Sequence, residues 1–440
     1  MKKTKGYSGH TPNTFVGGAM ATLVVPSTPG TGLALGACKG APARRHLSHL
    51  SGLRALACAW VVTSHFSERP RGTLGGVLDR GFVPVGLFIV LSGFVTHYAS
   101  ADKPLARPRD VLAFHAQRIG RILPLHWLML GLQWPTSGGT LEGLLGSVLL
   151  MTSWNCYEDR PTPRCADWPP INIQHWTLST LLFAWLVYPV VRPLVRAADR
   201  GVRERLALSA ALLVLTMLPA LGVRLATGEL SSSAWGLLYK WPPARLPDFV
   251  FGMSLGQLAH DERVLGWSGW PWLVDAAAAT LAVGLLLLPR PDLHACPSHR
   301  CGHEVYLLSG CNVFFGVVLL GGCATRAERS AVTRLARQRW LSDVGQYSFH
   351  IYLLQDWMAK VFLLLQNYSA GDCSSWPTCW GIVGPGMYHP GPGGAIASSW
   401  WMLFCAALVG VSSAWYTHVE QPWVRWMRRH TASVEARSLV

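Results

Sequence analysis

Charged residues are scarce in this chain of 440 residues. Asp, Glu, Lys and Arg together make up 14% of it, whereas a soluble domain carries about 25%. Hydrophobic residues make up 50% of the chain, and its mean hydropathy is +0.26. Its 21 Trp residues are of the type that favours the membrane–water interface. This composition excludes a set of ordinary soluble domains and predicts an integral membrane protein.

Acidic residues are also few, with 23 Asp and Glu against 38 Lys and Arg, so the formal net charge is +15. Such a charge is common in nucleic-acid-binding proteins, but the Arg residues here occur in short clusters between apolar runs. That pattern predicts cytoplasmic loops that face anionic lipid headgroups. We therefore expect the lipid bilayer as a partner and no nucleic acid. Residues 1–45, which contain no acid, fit either a targeting segment or a basic tail.

Several chemical signatures are missing. No pair of C-x-x-C elements has the spacing of a zinc site, and no glycine-rich run is followed by the Lys-Ser/Thr of a P-loop. The two halves of the chain show no convincing internal symmetry of the kind found in many transporters. We expect no metal and no permanently bound cofactor.

Long apolar runs are abundant, and a spanning helix needs about 20 mostly apolar residues. The fold predicted is all-α: a polytopic membrane helical bundle of about ten transmembrane helices plus one re-entrant or interfacial helix at 141–154. The ten segments are 50–66, 82–100, 119–134, 176–191, 206–226, 245–260, 270–288, 305–323, 345–365 and 398–416.

The positive-inside rule orients this bundle. With the basic N-terminus in the cytoplasm, the Arg-rich loops 101–118, 192–205 and 324–339 also face inward, provided that 141–154 does not cross. Both termini are then cytoplasmic. The predicted division is an N-terminal segment 1–45, a membrane domain 46–425 and a basic cytoplasmic tail 426–440.

The outward loops of this topology carry close cysteine pairs, of which we expect at least two to form disulfides, although chance placement also explains them. An N-glycosylation sequon begins at Asn367 on the same side. These features favour a plasma or secretory-pathway membrane, and a bacterial inner membrane also fits. The pairs are Cys156/Cys165, Cys296/Cys301 and Cys373/Cys379.

The first predicted helix contains two ionisable residues, Arg54 and His65. Their separation of eleven positions returns to nearly the same helix face, about 16 Å further along the axis. A guanidinium binds phosphate through paired hydrogen bonds, and an imidazole transfers protons near neutral pH. Snorkelling of Arg54 to the headgroups and packing of His65 as a polar core residue are the structural alternatives.

A second basic pair, Arg118 and Arg121, shares one face at the start of the third predicted span because the two residues are three positions apart. Together with Arg54, the pair forms a candidate anion site contributed by two helices. Ordinary anchoring by positive cytoplasmic residues explains the same pair.

These residues belong to an ordered set of motifs that resembles acyltransferase family 3, the polytopic membrane O-acyltransferases that modify glycans and other hydroxyl acceptors. Arg54 and His65 match its first-helix pattern of Arg, ten residues and His. The further elements follow in family order. They are V-G-L-F-I-V-L-S-G-F from Val85, Q-R-I-G-R-I-L-P from Gln117, W-T-L-S from Trp176 with a proline further on at Pro189, R-L-P-D-F-V-F-G from Arg245, S-F-H-I-Y-L-L from Ser348 and E-Q-P from Glu420.

The chain departs from this family pattern at three positions. The Glu of the family's W-S-L-S-x-E element falls on Leu181, and the acid of its second-helix signature falls on Gly86. The His that follows its S-Y-S-L-Y-L-L run falls on Gln355.

The resemblance implies an O-acyltransferase that uses cytoplasmic acyl-CoA, acetyl-CoA in particular, as co-substrate and a glycan or other hydroxyl as acceptor. Arg118 and Arg121, with Arg54, would bind the phosphates of the donor. His65 would act as general base or acyl carrier. The alternatives are a transporter or flippase of an anionic lipid or small molecule, and an inactive relative that serves as a membrane scaffold.

Overall fold

The structure is a computed structural model that describes residues 47–68, 70, 72–103, 105–137, 140–155, 173–197, 201–227, 232–288, 307–372, 375 and 395–437. Within these ranges the chain is helical, and the β-type pairing is an isolated parallel bridge between Ser67 and Ile396. The predicted segment 1–45 and all three predicted cysteine pairs lie outside the described residues.

The first part of the bundle contains α1 (Ser48–Phe66), α2 (Thr73–Leu78), α3 (Phe82–Ser100), α4 (Pro108–Ser137), α5 (Leu141–Val148) and α6 (Thr152–Asn155). After a 3₁₀ turn at Ile173–His175 come α7 (Trp176–Ala197), α8 (Val202–Thr227), α9 (Ser232–Lys240), α10 (Pro242–Leu258), α11 (Glu262–Leu265) and α12 (Trp270–Leu287). The last part contains α13 (Asn312–Gly321), α14 (Ala331–Ala336), α15 (Arg339–Gln346), α16 (Ser348–Ala370), α17 (Ser398–Trp415) and α18 (Gln421–Arg437).

All ten predicted apolar segments overlap a helix, so the all-α membrane class is confirmed. Five helices of the described chain are long and apolar enough to cross a membrane, and the apolar helix Leu307–Gly321 is shorter. The five are Thr73–Ser100, Trp176–Ala197, Val202–Ala226, Trp270–Leu287 and Ser398–His430. The count of ten spans and the cytoplasmic position of both termini stay predictions.

The outer surface of the bundle is apolar where a bilayer would contact it. On α8, Val214 is 60% exposed and Leu225 is 77% exposed, and on α17 Met402 is 76% exposed. A soluble protein rarely exposes apolar surface so extensively. These faces fit a lipid environment, and the chain is an integral membrane protein.

Two segments differ in form from an ordinary span or loop. The region 141–154 forms the short helices α5 and α6, and neither has the roughly 20 residues that a crossing needs. The region 324–339, predicted as a loop, instead contains a 3₁₀ turn and α14. Ser330 caps α14 because its hydroxyl accepts from the amide of Thr333, and that hydroxyl donates to Asp275 of α12.

The predicted sequon lies within α16. Asn367 is 3% exposed there, and it precedes the last turn of the helix. Its side chain is therefore packed inside the protein, where a glycan has no room.

Backbone contact between α3 and α10 forms the centre of the bundle. The two helices run in parallel, since Gly93 lies at Phe249 and Gly256 lies further along at Phe94 and Tyr98. A Cβ atom on Gly93 would lie 1.9 Å from the carbonyl oxygen of Phe249, and a Cβ atom on Gly252 would lie 1.9 Å from that of Val90. Small residues allow this approach, which is a common way for membrane helices to pack.

We expect Gly93→Ala to destabilise the protein, because the added methyl group forces α3 and α10 apart. The loss of unfolding free energy should be about 1–3 kcal/mol, as for other overpacked cores. Equilibrium unfolding in mixed micelles measures it. Gly410→Ala is the matched control, since nothing lies within 4 Å of its added Cβ atom. Equal stability of the two variants would contradict the close contact.

Candidate active site

Arg54 lies wholly inside the bundle. Its side chain is 0% exposed, which rules out snorkelling to the headgroups. Nη2 donates to the hydroxyl of Ser51 at 3.3 Å, while Nε and Nη1 have no hydrogen-bond partner among the described residues. The α15 helix approaches here because Gly345 has no side chain, and a Cβ atom on it would overlap the carbonyl of Ser51. A buried cation with two unused donors is suited to bind an anion.

Arg121 is held by an ion pair that crosses the bundle. Its Nε lies 2.6 Å from Oε1 of Glu420, and the other carboxylate oxygen of Glu420 lies 2.5 Å from Nε2 of His350. His350 is 0% exposed and Glu420 is 4% exposed. The one carboxylate thus joins α4, α16 and the turn that follows α17.

Glu420 ends the π-helical turn Tyr416–Glu420, which separates α17 from α18. A π turn carries one more residue per hydrogen-bonded ring than an α-helix and is frequent at functional sites. Tyr416 within this turn packs against His350, with ring centroids 5.8 Å apart. The turn therefore presents both an acid and an aromatic side chain to the same histidine.

The three arginines predicted from sequence lie close enough for Arg121 to interact electrostatically with the other two. Arg121 is close enough to repel the charges of both Arg54 and Arg118. Arg118 lies over the rings of Phe114 and Trp185, at 4.9 and 5.7 Å, and its Nε and Nη2 have no partner among the described residues. An anion bound between these guanidinium groups would relieve their mutual repulsion.

His65 lies at the other end of α1, about 16 Å from Arg54 along the axis. It is half-buried, with its ring edge-on to Phe66 at 5.6 Å. The amide of Ile396 donates to the carbonyl of Phe66 at 2.8 Å, which ties this end of α1 to the start of α17. The structure therefore places Arg54 and His65 towards opposite ends of α1, while Arg118 and Arg121 lie on α4.

Between these two ends, α16 presents polar groups. The thiol of Cys58 on α1 donates to the carbonyl of Ser348 at 3.4 Å. Further along, the hydroxyl of Tyr352 donates to the carbonyl of Gln174 at 3.3 Å. Gln355 is fully buried, and its side-chain oxygen has no partner among the described residues.

Two of the three departures from the family pattern have a visible structural setting. Leu181 is 4% exposed and packs in an apolar cluster with residues such as Leu178, so an apolar side chain occupies the position of the lost carboxylate. At Gly86, an added Cβ atom would lie 3.5 Å from Nη2 of Arg245. Arg245 pairs instead with Asp248 at 3.0 Å, so the carboxylate comes from α10 rather than from α3.

His350 was missing from the predicted site, and Glu420 was noted only as part of a motif. A signal for both was present, because each lies in an element of the family pattern. The sequence does not show that they touch, since they are 70 positions apart. Among the described residues, no group of three or more His, Cys, Asp or Glu side chains is arranged to hold a metal ion.

Comparison with known proteins identifies relatives of this chain. The profile of the Acyl_transf_3 family, described as an acyltransferase domain, matches residues 48–419. The chain is also similar to Acyltransferase MdmB of Streptomyces mycarofaciens, with 25% identity over 408 residues, which covers 87% of this chain and 93% of that protein. No solved structure matches.

We expect Glu420→Gln to destabilise the fold, because it leaves Arg121, whose side chain is only 18% exposed, without its counterion. Removal of one partner of a buried pair costs about 3–5 kcal/mol, measurable by equilibrium unfolding in mixed micelles. Glu204→Gln makes the same chemical change on an exposed carboxylate and should have no effect. If both variants unfold alike, the ion pair does not stabilise the bundle.

A second prediction concerns the carboxylate beside Arg245. Asp248→Asn should lower the unfolding free energy by about 3–5 kcal/mol, since it leaves Arg245 buried and unpaired. Addition of Gly86→Asp to this variant should recover at least half of the loss, because the new carboxylate reaches Nη2 of Arg245. Gly86→Asn in the same background is the control of equal shape. Equal recovery with Asn would show that charge is not the cause.

Proposed function

This chain belongs to the acyltransferase 3 family and is an acyltransferase, and we propose that it transfers an acetyl group from acyl-CoA to a hydroxyl of a glycan or another acceptor. The observation that carries the donor assignment is the cluster of Arg54, Arg118 and Arg121. Two of these side chains have unused donors, Arg54 is fully buried, and the carboxylate of Glu420 already neutralises Arg121. A polyanion such as the phosphates of CoA would supply the negative charge that balances the remaining arginines.

The donor would lie along α1. With its phosphates at the arginines, its pantetheine arm would follow the face of α1 past Cys58 towards His65. Tyr352 and Gln355 of α16 border this path and offer polar contacts to the amides of the arm. The Arg54 end would face the cytoplasm, where acyl-CoA is found, and the His65 end would face the opposite side.

His65 would act on the acceptor. As a general base, its imidazole takes the hydroxyl proton while the acceptor oxygen attacks the thioester carbonyl. The carbon–sulfur bond then breaks and CoA leaves as a thiolate, which takes up the proton from His65 to become the free thiol. As an acyl carrier, His65 itself would attack the thioester and hand the acetyl group to the acceptor in a second step.

A transfer assay tests this proposal. Full-length protein in lipid nanodiscs is given radiolabelled acetyl-CoA and membrane glycans, and label transfer and CoA release are followed. We expect His65→Ala to lower kcat by about 10²–10⁴-fold with little change in KM for acetyl-CoA, as for loss of a general acid–base group. Arg54→Gln should instead raise KM for acetyl-CoA, and a trapped labelled protein would identify His65 as acyl carrier.

Two outcomes would contradict the proposal. If His65→Ala transfers label at the wild-type rate, His65 is a packing residue. If wild type and variant are equally inert but both move an anionic ligand across sealed vesicles, the chain transports rather than acylates. Retained CoA binding by His65→Ala is the control that the variant is folded.

A further inference from the structure

Two histidines outside the site described above form a buried pair. His126 lies on α4, and His175 ends the 3₁₀ turn Ile173–His175. They are 0% and 1% exposed, and their ring centroids are 4.5 Å apart with the planes at 63°. Neither residue was singled out from the sequence.

The hydrogen bonds of the pair are incomplete. Nε2 of His126 lies 2.9 Å from the carbonyl oxygen of Ser147. A carbonyl only accepts, so this nitrogen carries the hydrogen, and Nδ1 of a neutral His126 presents a lone pair. Nδ1 of His126 and both ring nitrogens of His175 have no partner within the described part of the chain.

Three unpaired nitrogens in a buried site are costly. Each buried donor or acceptor without a partner costs about 1–3 kcal/mol, and native proteins leave few such groups unpaired. The missing partner must donate to Nδ1 of His126. It must also hydrogen-bond to His175, whose neutral ring carries one donor and one acceptor nitrogen. A hydroxyl group both donates and accepts, so one or two hydroxyls complete this arrangement.

The segment that covers the pair is strained. Leu150, between α5 and α6, has φ of 58°, in the left-handed region that glycine usually occupies. The turn is closed by bonds from the amide of Met151 to Gly146 and from the amide of Leu150 to Ser147, at 2.7 and 3.1 Å. This turn directs the carbonyl of Ser147 towards His126. Strain of this kind is concentrated at ligand-binding segments.

The pair lies to one side of the donor path. His126 points to α5, whose exposed residues Leu141 and Leu145 form part of the bundle surface. The carbonyl of Gln174, next to His175, binds Tyr352 of α16, so α16 stands near both the pair and α1. A substrate that passes α5 and α6 from the periphery would meet the histidines without displacing the donor.

We propose that His126 and His175 form the subsite that binds the hydroxyl groups of the acceptor. This proposal rests on the proposed acyl transfer, since it names the subsite of the second substrate. The pair binds and orients the acceptor through hydrogen bonds, and the transfer chemistry stays with the α1 site. The covering segment α5–α6 is the entry side for this substrate.

The test uses binding rather than turnover. Full-length protein in nanodiscs is titrated with octyl β-D-glucopyranoside below its micellar concentration, and its thermal unfolding midpoint is followed. The matched ligand control is the tetra-O-methyl derivative, which has no hydroxyl to donate. CoA is titrated separately as a probe of the donor site.

His175→Phe is the decisive variant, because it keeps an aromatic ring and removes two nitrogens that have no partner in the fold. We expect its midpoint without ligand to equal or exceed that of wild type, since no hydrogen bond is lost. The glucoside should stabilise wild type but bind this variant about tenfold or more weakly. The CoA-induced shift should persist in both proteins, and His175→Gln, which donates and accepts, should partly restore glucoside binding.

Three results would overturn the subsite: no stabilisation of wild type by the glucoside, equal stabilisation by its methylated derivative, or wild-type glucoside binding by His175→Phe. Loss of the CoA shift in His175→Phe would assign the pair to the donor and overturn the acceptor role. Failure of acyl transfer is a separate result, because a chain that binds the glucoside through His175 without transferring label refutes the proposed function and not the subsite.

Discussion

Glu420 contacts two side chains at once, Arg121 and His350, and the arrangement of the donor end depends on that carboxylate. Arg121 on α4 and His350 on α16 approach its two oxygens at 2.6 and 2.5 Å. His350 and Glu420 are nearly out of contact with solvent and the Arg121 side chain is 18% exposed, so the pair is only weakly screened, and it holds the elements that carry these residues together. Buried ion pairs contribute little net stability compared with apolar packing, so we infer that this pair specifies how the helices are arranged.

Close backbone packing provides the rigid frame around this ion pair. In a bilayer, helices gain little from the hydrophobic effect between them, so close contact and polar groups hold them together. Glycines supply that contact between α3 and α10, and again where Gly345 of α15 meets Ser51 beside Arg54. The frame therefore fixes the position of Arg54 while most of its guanidinium remains available.

The buried polar groups of this frame differ in how much of their hydrogen-bonding capacity is used. Asp248 and Glu420 are paired inside the bundle, and they hold helices together. Arg54, Arg118, His126 and His175 keep donors or acceptors without a hydrogen-bond partner in the described structure. Because such atoms lower stability unless a partner is supplied, they are the places where we propose that substrates bind. The donor end and the acceptor subsite proposed here are both identified by this incompleteness.

The sequence by itself determined the helical membrane class, the positions of the apolar segments and the single-helix stripe of Arg54 and His65. These are local properties, set by runs of apolar residues and by the 3.6-residue period, so they need no knowledge of the fold. The helical turns of 324–339 were missed because the caps that stabilise them include Asp275, a residue more than fifty positions away.

Only the tertiary structure decided which distant residues meet. Arg121 and Glu420 are 299 positions apart, and Tyr352 and Gln174 are 178 positions apart. The pairing of His126 with His175 and the position of Gly86 beside Arg245 likewise follow from how helices pack. A periodic pattern fixes which face of a helix is apolar, but not which neighbour that face meets. The contacts that complete the site depend on how the helices pack. That packing must fit side-chain shapes and pair hydrogen-bonding groups across several helices at the same time.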